Sequence, residues 1–154
     1  MKLAIVIALT AFSIPCVAQT SGKAEVFYAK QLRGQLVQLA QQAKANKSGS
    51  LTFGDYGSHA LMLSERTTSG GAEIHAHFDD IMVVMGGKAT LVTGGVVIDG
   101  HLGSNGETKG SGIRNGTMRS IGAGDVVHIS AGTPHQLLIA HGTTYSALVI
   151  KVKE

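Results

Sequence analysis

The chain has 154 residues, of which 44% are hydrophobic, and it contains three Tyr, four Phe and no Trp. Thirteen Lys and Arg against ten Asp and Glu give a net charge of +3 without any basic cluster, which argues against a nucleic-acid-binding surface. The only cysteine is Cys16, so the chain beyond it has no disulfide, no cysteine nucleophile and no thiolate metal ligand.

The amino-terminal segment has the layout of a secretory signal peptide. Lys2 precedes an apolar run over residues 3–14, which is followed by Pro15 and the small-residue tripeptide Cys16-Val17-Ala18. The run is shorter than the roughly 20 apolar residues that a membrane span needs. We expect cleavage after Ala18, in preference to lipid attachment at Cys16 or an uncleaved apolar start. The mature protein is then periplasmic or secreted and has no membrane anchor.

Residues 26–45 are predicted to form one amphipathic helix. Apolar side chains recur there at spacings of three and four, with Gln and Lys between them. The sequence Lys47-Ser48-Gly49-Ser50 is predicted to end the helix. Residues 19–50 are therefore assigned to an N-terminal helical segment.

Residues 51–154 have the pattern of an all-β domain. Short apolar or alternating runs are separated by Gly-rich turns such as Gly70-Gly71, Gly86-Gly87 and Gly94-Gly95. The predicted strands are residues 60–63, 81–85, 89–92, 96–98, 126–129, 136–139 and 146–152. The polar segment 99–119 is too long for a tight hairpin, and an extended loop, a ragged hairpin and disorder all stay open for it.

Two histidines two positions apart, His75 and His77, are candidates for metal ligands. On a strand this spacing sends both side chains to the same face of the sheet, although an isolated pair of this kind more often lines a solvated surface. The pair is followed by Asp80, six residues and Gly87. A second segment runs from Gly124-Asp125 through an apolar stretch to Gly132-Thr133-Pro134-His135.

These two segments resemble the two motifs of the cupin superfamily. The first motif has the form His-x-His, three or four residues, Glu, six residues and Gly, and the second has Gly-Asp, an apolar run and Pro-x-Gly-x-x-His. The resemblance covers about residues 70–136. It implies a cupin-type double-stranded β-helix, or jelly-roll barrel, over residues 51–154, with one N-terminal helix outside it.

Carried over by position, the resemblance makes His75, His77, Asp80 and His135 the ligands of one divalent transition metal. Imidazoles with a carboxylate suit Zn, Fe, Mn, Ni or Cu better than Ca or Mg. Asp80 departs from the motif because it replaces Glu and follows His77 after only two residues. Asp79 is the alternative carboxylate ligand, and a site of three histidines also stays open.

A catalytic role requires a proton-transfer group beside the metal, and three candidates are Glu73, His128 and Tyr145. Glu73 shares strand parity with His75, whereas His128 lies on the apolar strand 126–129, where a structural role is commoner. The remaining histidines, His59, His101 and His141, lie in predicted turns or loops and are expected to be solvated.

Two functions follow from this interpretation. The first is a metalloenzyme of dioxygenase, isomerase or lyase type that acts on a small molecule, and the second is a non-catalytic module that binds a metal or a small ligand. The scarcity of aromatic residues favours a small polar or aliphatic ligand. Cupin barrels commonly pair through sheet edges, and the predicted helix has an apolar stripe that needs cover, so a homodimer is expected.

Overall fold

The computed structural model describes residues 22–154, which form one helix and twelve strands. The predicted signal peptide, residues 1–18, lies outside this part of the chain. No helix within residues 22–154 is long and apolar enough to cross a membrane. The elements in chain order are α1 Ala29–Asn46, β1 Ser48–Asp55, β2 His59–Arg66, β3 Ala72–His75, β4 Phe78–Thr93, β5 Val96–Ile98, β6 His101–Leu102, β7 Glu107–Gly110, β8 Gly112–Arg114, β9 Thr117–Gly122, β10 Val126–Ile129, β11 His135–Leu138 and β12 Tyr145–Lys153.

Helix α1 confirms the predicted helix but begins three residues later. Tyr28 is extended and caps the helix, with its carbonyl oxygen accepting from the amides of Gln31 and Leu32. The helix ends where Lys47 adopts a left-handed conformation with φ of 73°. Leu39 and Ala43 are buried on the face that packs on β1 and β2.

Two antiparallel sheets share the long strand β4. Its first half lies between β12 and β10, and its second half lies between β11 and β9. The first sheet has the order β1-β2-β12-β4-β10, and the second has the order β6-β7-β3-β11-β4-β9. Strands β5 and β8 form a separate small ladder. The predicted all-β fold with one helix is confirmed.

The prediction of a turn at Gly86-Gly87 between two separate strands was wrong, because β4 continues through both glycines. Gly87 has φ of 71°, and a Cβ atom there would lie 2.0 Å from the carbonyl oxygen of Thr144. The register with β12 shifts between Ser146 and Ala147, opposite Gly86. The register skips Met85, which is the extra residue of a bulge directly before the glycines, and β4 passes from the first sheet into the second there.

The polar segment 99–119 contains short strands, as the hairpin alternative proposed. Strands β6 and β7 pair with each other, and β7 also pairs with β3. This pairing brings Glu107 opposite His75. Part of the segment therefore belongs to the wall of the candidate site.

Inward-facing residues of both sheets form the core. Alternate residues of a strand point to opposite faces, so Met82 and Val84 of β4 face inward together with Asp80. The core cluster consists of ten buried residues, Met82, Val84, Ala89, Leu91, Ile121, Ile129, Ile139, Tyr145, Ala147 and Val149. Full burial of one such large side chain contributes roughly 1.5–3 kcal/mol.

Candidate metal centre

A cavity of about 410 Å³ opens between the two sheets, and the candidate ligands line one part of it. Glu73, His75, Asp80 and His135 all contribute to its wall. A volume of roughly 300–1,000 Å³ is typical of sites for small molecules. The cavity is therefore large enough for a metal ion together with a small ligand.

Cross-strand neighbours build this part of the cavity. Glu73 of β3 lies opposite His135 of β11, and His75 lies opposite Glu107 of β7. Asp80 of β4 lies opposite Lys151 of β12. Directly opposed side chains on one face of an antiparallel pair are close enough to interact. The strand register alone therefore groups these polar residues.

The ligand atoms of Glu73, His75 and His135 lie within 4.8 Å of one another, which is a spacing that one metal ion can bridge. Asp80 adds a second carboxylate to the group. Its Oδ2 atom lies 3.2 Å from Nε2 of His75 and 3.8 Å from Nε2 of His135. The two imidazoles are thus flanked by Glu73, which completes the group, and by Asp80, which lies close to both imidazoles but outside the common spacing of the other three.

The other ring nitrogen of each histidine is held from outside the group. Nδ1 of His75 is hydrogen-bonded to the Glu107 carboxylate. Nδ1 of His135 donates to the carbonyl oxygen of Thr133 at 3.0 Å. A histidine that ligates a metal is typically oriented by a carboxylate or carbonyl on its second nitrogen. Both imidazoles therefore present Nε2 to the cavity.

The carboxylates of Glu73 and Asp80 give the space beside Nε2 of His75 a negative potential that favours a cation. Burial lowers the pKa of His75, but hydrogen bonds from its ring to the carboxylates of Asp80 and Glu107 outweigh burial and leave the pKa above its ordinary value. Burial raises the pKa of Asp80. Its hydrogen bonds to His75 and Lys151 lower the pKa by more than burial raises it, so the pKa lies below its ordinary value. Asp80 is thus ionised, and a metal ion bound here would replace a proton on His75.

His135 is prepared for coordination in a different way. Burial lowers its pKa, so the ring is neutral at pH 7. Because Nδ1 carries the proton that Thr133 accepts, the lone pair lies on Nε2. Neutral imidazole and carboxylate donors suit Zn, Fe, Mn, Ni or Cu, so these residues fit the metal that a cupin fold implies.

The structure places His77 away from this group. Strand β3 ends at His75, and Ala76 and His77 form a bend before β4 begins at Phe78. His75 is buried, whereas His77 is exposed. The expectation that both side chains share one face of a single strand was wrong, because parity does not extend past the end of a strand.

Of the two neighbouring aspartates, Asp80 faces the cavity and Asp79 faces outward. Asp79 accepts hydrogen bonds from the amide of Ala131 at 2.7 Å and from Nε2 of His128 at 2.8 Å. Asp80 instead bonds to Nζ of Lys151 at 2.7 Å through Oδ1, which leaves Oδ2 for the imidazoles. This placement favours Asp80 as the carboxylate ligand.

The three candidates for proton transfer occupy three different environments. Glu73 belongs to the candidate ligand group itself. The side chain of His128 is 56% exposed and lies outside the cavity, against Asp79. Tyr145 is buried in the cavity wall, and burial raises its pKa to about 12.

The motif spacing contains the signal that places Glu73 in the group. Glu73 and His75 stand two apart, and four residues separate His75 from Asp80. This spacing matches the first cupin motif better than one counted from His77, with Glu73 at the position of the first histidine. His77 was predicted as a ligand because it is a histidine, although only two residues separate it from Asp80.

Solved structures resemble this chain, although no protein-family model and no curated protein match its sequence. KdgF from Halomonas sp. is 11% identical with a TM-score of 0.52, and the match covers 71% of this chain and 82% of that one. The DMSP lyase DddQ from Ruegeria pomeroyi is 16% identical with a TM-score of 0.51, over 70% and 48% of the two chains. A cupin-2 domain protein from Rhodospirillum rubrum is 14% identical with a TM-score of 0.50, over 70% and 61%.

This chain spans about half of the length of DddQ and about three fifths of the R. rubrum protein. At these identities the likeness concerns the fold. The chain has the cupin fold, as the two motifs implied, and the fold alone does not assign a reaction.

Proposed function

We propose that the protein is a metal-dependent cupin that acts on a small molecule in the cavity between its sheets. The metal would be held by Glu73, His75, Asp80 and His135. A divalent ion in such a site supplies a Lewis acid, or an oxygen-activating centre if it is redox-active. The reaction class is of the dioxygenase, isomerase or lyase type, and the lyase DddQ is an enzyme with this fold.

The observation that carries the proposal is the outer hydrogen bonding of the two histidines. Glu107 and Thr133 hold Nδ1 of His75 and of His135, so both Nε2 atoms face the carboxylates of the group. A buried histidine that merely fills space needs no such arrangement. The chain's own residues thereby orient two donors and exclude most of the solvent around them.

A second candidate function is a non-catalytic module that binds a metal or a small ligand, and the proton-transfer residues favour it. Glu73 is a candidate ligand, and His128 lies outside the cavity. Tyr145 has a pKa of about 12, so near neutral pH it is a poor proton acceptor.

Elemental analysis of protein purified without added metal tests the proposal. We expect close to one transition-metal ion per chain in the wild type and a loss of most of it in His135→Ala, which removes a buried donor. His141→Ala is the matched control because His141 is exposed in a turn outside the cavity. Equal metal contents in the two variants would refute the proposed centre.

A further inference from the structure

We infer that the cavity holds a second subsite, formed by Arg66 and the Tyr145 hydroxyl, that binds the carboxylate of a small aliphatic acid. The inference rests on the proposed function, since it names the class of molecule that the same cavity takes. Arg66, Tyr145 and the metal-binding group all line this one cavity.

Arg66 has no carboxylate partner among residues 22–154. Its direct cross-strand neighbours are Ser48 of β1 and Tyr145 of β12, and both carry hydroxyl groups. The guanidinium lies over Gly70, where a Cβ atom would be 2.8 Å from Nη1. A guanidinium in a cavity without an acidic partner is a ready donor for a planar oxyanion.

The Tyr145 hydroxyl also lacks a strong partner. The residue is only 1% exposed, and among the described residues its hydroxyl contacts the thioether of Met82 at 4.0 Å. Sulfur of this kind is a weak acceptor, and a buried hydroxyl without a partner costs free energy. Arg66 is close enough for its charge to act on this hydroxyl. A ligand oxygen between the two groups would satisfy both.

The acidic residues of the cavity belong to another part of its wall. Glu73, Asp80 and Glu107 all contact His75. Tyr145 and Lys151, which is paired with Asp80, stand six positions apart on β12 (145 to 151), or about 20 Å between their backbones at roughly 3.3 Å per residue. Across the cavity, the Arg66 guanidinium lies over Gly70, three positions before Glu73 in the chain. Arg66 and the Tyr145 hydroxyl therefore form one part of the cavity wall, and the metal-binding group with Lys109 and Lys151 forms another.

Apolar side chains line the wall between these two parts. Met62, Met82 and Val149 are cross-strand neighbours on β2, β4 and β12, and Leu137 completes this part of the wall. An aliphatic chain buries its surface well against such residues. The arrangement selects a molecule with a carboxylate at Arg66, an aliphatic middle and a group that reaches the metal.

Calorimetric titration with hexanoate, and with hexanamide as its uncharged counterpart, tests the subsite on Zn²⁺-loaded protein. We expect hexanoate to bind more tightly than hexanamide. Arg66→Met should weaken hexanoate binding by at least about tenfold, because a hydrogen bond to a charged group is lost. Arg114→Met is the control, since Arg114 is exposed on β8 outside this cavity.

Tyr145→Phe retains the ring and removes only the hydroxyl, so it should weaken hexanoate binding by about tenfold while thermal unfolding stays close to that of the wild type. The subsite is overturned if hexanoate does not bind at millimolar concentration, if hexanamide binds equally well, or if Arg66→Met has no effect. In the last case the acid would bind through the metal.

The metal content of the wild type and the Arg66 dependence of hexanoate binding, measured on the same protein, separate this inference from the proposed function. If the wild type holds no metal but hexanoate binding still depends on Arg66, the subsite stands and the metal-dependent function fails. If metal binds as proposed and Arg66→Met changes nothing, the metal centre stands and the subsite fails.

Discussion

His75 lies between carboxylates on both of its ring nitrogens. Nδ1 is bonded to Glu107, and Nε2 lies 3.2 Å from Asp80 and 3.9 Å from Glu73. Lys151 neutralises part of this negative charge through Asp80. The negative charge that remains favours a positive charge at Nε2 of His75, and either a proton or a metal ion can supply that positive charge.

Protons and metal therefore compete at His75, and metal retention should depend on pH. Because the pKa of His75 is raised, its ring becomes protonated at a higher pH than that of an ordinary histidine. We expect bound metal to leave as the pH falls below about 6 and to return as the pH rises. Dialysis at a series of pH values followed by elemental analysis measures this. Full retention at pH 4.5 in protein that is still folded by circular dichroism would contradict the expectation.

The bulge in β4 lies where the strand passes from one sheet to the other, and Gly87 stands just after it. An alanine at this position would combine a left-handed conformation with a contact of 2.0 Å to the carbonyl oxygen of Thr144, just before β12. Gly142 has a similar φ of 75° but nothing within 4 Å of its would-be Cβ atom. The two positions thus separate conformational strain from steric overlap.

Gly142→Ala should lower the free energy of unfolding by roughly 1–2 kcal/mol, the cost of a left-handed conformation for an L-residue. Gly87→Ala should cost clearly more, because the backbone of Thr144 has to move as well. Urea denaturation of both variants measures the difference. Equal costs for the two substitutions would show that β4 and β12 are not in this close register.

Strands with regular alternation were predictable from the sequence, and breaks in the strands were not. β5 and β10 have the predicted bounds, because apolar runs between clear turn residues leave little choice. The turn predicted at Gly86-Gly87 is a continuation of β4 just after a bulge, because the positive φ of Gly87 is open to glycine within a strand as well as in a turn. The end of β3 at His75 depends on pairing with β7 and β11, which is information that local sequence does not carry.

The same limit applies to the candidate site. His75, Asp80 and His135 were predictable from motif spacing, and the structure brings them together. Glu107 was not, because it lies in the polar segment 99–119, where no pattern shows that β7 pairs with β3. Long-range register is decided by the whole sheet, which also places Arg66 beside Tyr145.

At the scale of the whole molecule, the homodimer stays a prediction, and the exposed apolar side chains around α1 are the surface at which we expect the two copies to meet. Val26, Tyr28 and Val37 are each more than 60% exposed. We expect light scattering to give twice the mass of one chain and Val37→Lys to shift the mass toward that of a monomer. Val126→Lys, at a position 67% exposed on β10, is the control. A monomeric mass for the wild type at micromolar concentration would exclude the dimer.

Export stays a prediction from the sequence. Amino-terminal sequencing of secreted protein should find Gln19 as the first residue, because the segment before it has the layout of a cleavable signal. An intact Met1 or a lipid on Cys16 would contradict this.

The most direct test of the metal centre compares the metal content of Glu73→Gln with that of His77→Gln. The structure places the Glu73 carboxylate with His75 and His135, whereas His77 is exposed beyond the end of β3. Elemental analysis should therefore show a marked loss of metal in Glu73→Gln and a content close to the wild type in His77→Gln. The opposite result, metal lost with His77 and kept without the Glu73 carboxylate, would contradict the ligand group derived from the structure.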